Sequence, residues 1–204
     1  MKIAIASDHC GVELKSALVS ALSSTVTVLD KGPAGTESCD YCDYAVEVAR
    51  DIASGAADFG VLICKTGIGM SMAANRFQNV RAALCASVEA ATLTRRHNGA
   101  NVLCLGADCV DAAKALEIVN TFIGTSVDTD GRHERRRWKL ERAGRLSDAS
   151  GLMKDDPEVW AAIEAQTVQE DTEINLIASE NTSSRACREA AGSVLMNKYA
   201  EIPS

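Results

Sequence analysis

Residues 1–146 alternate strand-length apolar runs with helix-length amphipathic stretches, and this alternation constrains the fold more than any other feature. The runs are Lys2–Ser7, Val26–Leu29, Phe59–Cys64, Val80–Cys85 and Asn101–Gly106. They are rich in Val, Ile, Leu and Ala with little polar alternation, the pattern of parallel strands covered on both faces. Between them, helical periodicity falls on Val12–Ser23, Tyr41–Ser54, Gly69–Arg76, Ser87–His97 and Asp111–Phe122. In the first of these, Val12, Leu14, Ala17, Leu18, Ala21 and Leu22 recur near 3.6-residue spacing. Strand and helix taking turns predicts βαβ units. The expected fold is α/β: a three-layer αβα Rossmann-like sandwich around a five-stranded parallel sheet. Ligands in such sheets bind beyond the carboxyl ends of the strands.

Composition narrows the function classes. With 47% hydrophobic and 24% charged residues in 204, the chain can bury a core and is not a disordered or fibrous protein. Aromatics at 4% argue against single-strand nucleic-acid binding by base stacking. A net charge of −7 opposes both nucleic-acid and anionic-membrane partners. No apolar run reaches the ~18 residues of a spanning helix. The N-terminus reads as a buried strand rather than a signal peptide, so a cytoplasmic protein is expected.

Eight cysteines provide a single CxxC, Cys39-Asp40-Tyr41-Cys42, with no second pair at zinc-finger spacing. These two read as free loop thiols, with metal or redox roles as alternatives. Cys64, Cys85 and Cys104 sit in apolar runs, where Cys is usually a small hydrophobe. No metal site is expected.

Polar residues punctuate the strand ends. Thr66-Gly67-Ile68-Gly69 joins a strand to a helix and suits an anion, since Gly allows close approach and helix N-terminal N–H groups face negative charge. It is neither a P-loop nor a full dinucleotide fingerprint, and a tight packing turn reads equally well. Cys64, just before it, is either an activated thiol or a core residue. Asp8-His9 is either an acid/base pair or a helix cap. His97-Asn98 is either functional or a helix C-terminal cap. Arg132 and Arg136 are four apart on one helix face, fit to grip a phosphate or to face solvent.

Five separated motifs occur in order: Asp8-His9; Cys64-Lys65-Thr66-Gly67-Ile68-Gly69-Met70-Ser71-Met72-Ala73-Ala74-Asn75-Arg76; Arg81-Ala82-Ala83; His97-Asn98-x-x-Asn101-Val102-Leu103; and Gly131-Arg132-His133-x-x-Arg136. Over residues 1–146 this series resembles the type B ribose-5-phosphate isomerases, which share a family with the galactose-6-phosphate isomerase subunits. The resemblance implies an aldose–ketose isomerase of a sugar phosphate, most simply ribose 5-phosphate to ribulose 5-phosphate, needing no metal or organic cofactor. It implies that His97, helped by Asp8, opens the sugar ring, and that Cys64 moves a proton between C2 and C1. Thr66 and the backbone N–H groups of Gly67, Ile68, Gly69 and Met70 would hold the enediolate oxygen. His9, Arg132 and Arg136 would bind the phosphate and Asn98 the sugar. A pocket shared between two subunits is implied, hence a homodimer, with a tetramer as the larger alternative. A catalytically weak sugar-phosphate binding module is the competing expectation.

Two positions depart from the family pattern. Lys65 stands where Gly is common, and Asp108 stands where members often carry a further phosphate-binding Arg.

The composition changes at 147–155, predicting an isomerase domain over 1–146 and a linker plus tail over 147–204. In the tail, Asp156-Pro157-Glu158-Val159, Ile174-x-Leu176-Ile177-Ala178-Ser179-Glu180-Asn181 and the 192–201 segment, Gly192 to Glu201, resemble the N-terminal segment of serine hydroxymethyltransferase. The tail is expected to be partly helical, near 158–173. The length leaves no room for the cofactor domain of that enzyme.

Overall fold

The computed structural model describes residues 1–146 together with Glu158, Val159, Ala161, Ala162 and Ala165. The first unit of the chain, Met1–Asp148, holds every strand described below. In the second unit, the five described residues are helical, and the rest of the expected tail helix lies outside the described residues. No helix among the described residues is long and apolar enough to cross a membrane.

The strands are β1 (Lys2–Ser7), β2 (Thr27–Asp30), β3 (Phe59–Cys64), β4 (Ala82–Leu84) and β5 (Val102–Gly106). The helices are α1 (Val12–Leu22), α2 (Tyr41–Ser54), α3 (Ile68–Ala74), α4 (Val88–Leu93), α5 (Ala112–Gly124) and α6 (Gly131–Leu146). All strand pairs are parallel and the order is β2-β1-β3-β5-β4. The expected α/β sandwich is therefore realised, with β4 at an edge.

Parity along the strands divides the core in two. Ile3, Ile5, Val61, Ile63, Leu103 and Leu105 face α1, α4 and α5. Ala4, Ala6, Leu62, Cys64, Val102 and Cys104 face α2 and α3. The second face carries the smaller side chains because α2 lies close to the sheet: a methyl on Gly60 would stand 2.7 Å from Val48 Cγ1. Both faces are covered, which explains why the sequence runs lack polar alternation.

Several expected boundaries shift by one or two residues, α3 for example running Ile68–Ala74 rather than Gly69–Arg76, and three differences bear on the sheet and the site. The run Val80–Cys85 contributes only Ala82–Leu84 to the sheet, since an edge strand needs few paired residues. The second strand runs one residue later than expected, Thr27–Asp30. The stretch Ser87–His97 does not form one helix: α4 ends at Leu93 and a π-turn, Thr94–Asn98, follows it. Arg95 anchors that turn. Its guanidinium lies over the Phe59 and Phe122 rings, at 4.7 and 5.5 Å, and donates to the carbonyls of Ala100 and Thr125. Such widened turns recur at functional sites.

Cys85 and Cys104 are buried, 2% and 0% exposed, as expected of core residues. Burial pushes the Cys85 thiol up to about 11 and the Cys104 thiol higher still, so both stay protonated. Cys104→Ala should lower stability by about 1–2 kcal/mol through lost packing, read as a fall in thermal midpoint. An unchanged midpoint would contradict this packing role.

Candidate active site

The carboxyl ends of β1 and β3 carry one group of polar residues. Asp8, 6% exposed, follows β1, and its Oδ1 accepts the N–H groups of Cys10 and Gly11 at 2.9 and 3.2 Å. It thus braces the loop that opens α1. His9 Nδ1 accepts the Cys39 N–H at 3.3 Å, which leaves Nε2 as the nitrogen able to face a ligand.

Cys64 ends β3 with its side chain 5% exposed on the α3 side of the sheet. Its Sγ accepts the Gly67 N–H at 3.1 Å. Gly67 has φ +76°, and a methyl there would stand 2.5 Å from Leu84 Cδ1 and 2.9 Å from the Leu105 carbonyl carbon. Only Gly lets the loop fold over β5 in this way. Thr66 Oγ1 accepts weakly from the Ile68 N–H at 3.4 Å. The N–H groups of Gly69 and Met70 find no acceptor among the described residues. Met70 itself is fully buried, so only its backbone can reach a ligand. Tyr41, which sequence reasoning missed, lies against this loop: a methyl on Gly69 would stand 2.6 Å from its ring. Only its place within the CxxC hinted at it.

A second group lies at the amino end of the sheet. His97 and Asn98 sit in the π-turn before β5, and Arg132 and Arg136 lie exposed on α6. The His97 ring stacks on His133, with centroids 4.1 Å apart and planes 1° from parallel. Asp128 Oδ2 lies 3.9 Å from His97 Nε2, while Arg96 Nε holds Oδ1 at 3.0 Å. Arg137 donates to the carbonyls of His97 and Asp128 at 3.3 and 2.9 Å. The sequence reading singled out Arg132 and Arg136 and passed over Arg137. The same count of four that groups Arg132 with Arg136 groups His133 with Arg137, and the second pair is the one turned toward the π-turn.

Desolvation is the largest influence on His133 and lowers its proton affinity; Asp130 opposes this, while His97, Arg132 and Arg136 add to it. A histidine held below its ordinary 6.5 binds fewer protons folded than unfolded. Its contribution to stability is present above that value and is lost as pH falls below it. The Asp130 carboxyl, lowered chiefly by the His133 backbone N–H, acts only below its ordinary 3.8. Between about pH 7 and 5, therefore, the melting temperature of His133→Asn should fall less steeply than that of the unsubstituted protein. Equal slopes would remove His133 as the titrating group.

Among the described residues, two side-chain sets bring possible metal ligands within 4.8 Å of one another: Asp8, His9 and Cys10, and His97, Asp128 and His133. In each set the histidine already has a partner within the protein. In the second, parallel rings aim their in-plane lone pairs side by side, and Arg132 Nη2 lies 3.1 Å from His133 Nε2.

The two groups do not meet within one chain. Cys64 pairs with Gly106 and Gly60 with Val102, and His97 precedes Val102 by five residues. Four strand steps, about 13 Å, separate the level of Cys64 from the start of β5. Each end therefore carries its own set of groups: a thiol with backbone donors at one, imidazoles with guanidinium groups at the other.

The fold is a parallel α/β sandwich with a thiol and acceptor-free N–H groups beyond its strand ends. The chain belongs to the ribose/galactose isomerase family, whose model matches residues 3–140, and it is a sugar isomerase of that family. It is 43% identical over 136 residues to ribose-5-phosphate isomerase B of Escherichia coli, covering 66% of this chain and 91% of that protein. A ribose 5-phosphate isomerase structure from Thermotoga maritima superposes with a TM-score of 0.67 at 48% identity, covering 69% of this chain and 97% of that one. A ribose-5-phosphate isomerase B structure from Mycoplasma genitalium, with ribulose 5-phosphate bound, has a TM-score of 0.67 at 39% identity, covering 71% and 96%. Residues 152–203 match the serine hydroxymethyltransferase family model.

Proposed function

We propose that the protein interconverts an aldose phosphate and its ketose, with ribose 5-phosphate and ribulose 5-phosphate as the pair. The observation that carries this reading is the Gly67 N–H held on Cys64 Sγ at 3.1 Å, beside the acceptor-free N–H groups of Gly69 and Met70. A base and an oxyanion cradle stand together. Cys64 removes the C2 proton of the open aldose, and negative charge builds on the carbonyl oxygen. Thr66 and the N–H groups of the Gly67–Met70 loop stabilise that charge, a contribution of about 3–4 kcal/mol per key donor. The thiol then returns the proton to C1 while the proton of the C2 hydroxyl passes to O1, which leaves the carbonyl at C2. His97 opens the furanose by moving a proton to the ring oxygen, with Asp8 assisting. His9, Arg132 and Arg136 hold the phosphate and Asn98 the sugar hydroxyls. The sequence likeness to enzymes named for ribose 5-phosphate supports the substrate.

The half-sites at opposite ends of the sheet support a homodimer in which each site takes Cys64 from one copy and His97 from the other. Ile68, Met72 and Leu84 are 47%, 62% and 45% exposed around the Cys64 loop, an apolar margin that a second copy would cover. The deciding experiment is turnover of a panel of aldose phosphates by the purified protein. Ribose 5-phosphate should be converted fastest. Tight binding without turnover would favour a binding module instead.

We further assign catalysis to residues 1–146 and treat 147–204 as a hydroxymethyltransferase-like tail. Deleting residues 150–204 should leave isomerisation and dimer mass intact. Loss of turnover with the fold retained would make the tail part of the site.

A further inference from the structure

Lys65 and Asp108, two unrelated departures in the sequence, are neighbours in the fold. The backbone pairing of β3 and β5 continues past both strands: the Ala107 N–H donates to the Cys64 carbonyl at 2.9 Å and the Asp108 N–H to the Lys65 carbonyl at 3.1 Å. The platform beneath them is tight, since a methyl on Gly106 would stand 2.9 Å from the Thr66 carbonyl group. On this rigid base Lys65 Nζ lies 3.9 Å from Asp108 Oδ2, with the side chains 67% and 61% exposed.

Their location is the mouth of the carboxyl-end half-site. Partial desolvation and then Asp8 raise the Cys10 thiol; Lys65 lowers it and Asp108 raises it, so both charges reach the first-strand loop that carries His9. The core-facing parity of β3 puts Cys64 on the α3 side, so the next residue, Lys65, starts out on the opposite side. Lys65 is thus placed to act on what enters the mouth rather than on the thiol.

An exposed pair this long is worth at most about 1 kcal/mol. A phosphate monoester carries about −1.5 to −2 charge near neutral pH and outcompetes one carboxylate for the ammonium. We propose that Lys65 is a specificity-determining cation for the sugar's phosphate, and that Asp108 holds it in an exchangeable ion pair which the phosphate displaces. Asp108 thereby weakens anion binding, and Lys65 provides it. The proposal rests on the reading of this end as the sugar-phosphate site.

The test is calorimetric titration of the full chain with inorganic phosphate, alongside KM for ribose 5-phosphate. Both side chains are largely exposed, so the substitutions spare the core. Lys65→Met should weaken the phosphate Kd ~10-fold, and Asp108→Asn should tighten it ~3-fold or more, with KM moving in the same directions. Absence of phosphate binding by the unsubstituted protein, both variants within about 2-fold of it, or the opposite order would overturn the pair's role. Phosphate binding ranked as expected, without turnover of ribose 5-phosphate, would leave the pair standing and reject the isomerase reading alone.

Discussion

Cys64→Ala is expected to cut isomerisation at least ~100-fold while the protein keeps its fold, because it removes the group that takes and returns the proton. The scale follows from what general-base catalysis contributes, and here the base also accepts the Gly67 N–H at 3.1 Å. Alanine leaves the loop geometry in place, since Gly67 is held by its close approach to Leu105 rather than by sulfur. Binding of ribose 5-phosphate should therefore persist while turnover disappears. Circular dichroism and a calorimetric titration check fold and binding, and a coupled ketose assay checks turnover. Near-normal turnover would remove Cys64 from the chemistry and leave it a core residue at a strand end. Cys64→Ser is the finer probe. A hydroxyl is a far weaker acid than a thiol, so its turnover should also fall steeply despite nearly unchanged size.

The second large effect is a recovery. Cys64→Ala and His97→Ala should each be inactive alone as homodimers, yet mixed dimers should work. In a two-fold dimer with shared sites, a heterodimer has one site lacking both residues and one with both intact. Half the dimers in an equal mixture are heterodimers, and half of their sites function, giving about a quarter of full turnover. Were Cys64 and His97 of one chain to serve the same substrate, no combination would restore activity. The separation of about 13 Å along β5 is the reason to expect recovery. Subunits must be exchanged by co-expression or by unfolding and refolding together. Mixtures that remain inactive after proven exchange would sink the shared-site arrangement.

The core elements were legible for a simple reason. β1, β3 and α2 occupy the expected residues because their side chains are buried on defined faces, and burial writes itself into residue type. The elements that shifted are those where packing does not decide every position. β4 is an edge strand, and Val80 and Cys85, apolar flanks of its run, are buried by the core just beyond its ends. The π-turn at Thr94–Asn98 left no periodic trace, since it depends on Arg95 reaching Phe59, Phe122 and the Thr125 carbonyl.

The candidate site divides in the same way. Asp8, Cys64 and the Thr66–Gly69 loop could be picked out because chemistry and strand ends coincide along the chain. That His133 supports His97, that Arg137 holds its backbone, and that Lys65 meets Asp108 are contacts across 36, 40 and 43 residues of sequence. Local residue order carries the period of a helix and the presence of a thiol, a glycine or a charge, because these depend on neighbours in the chain. Which strands lie side by side, and therefore that Cys64 and His97 end up at opposite ends of one sheet, depends on which distant surfaces exclude water together. Only the folded chain settles that.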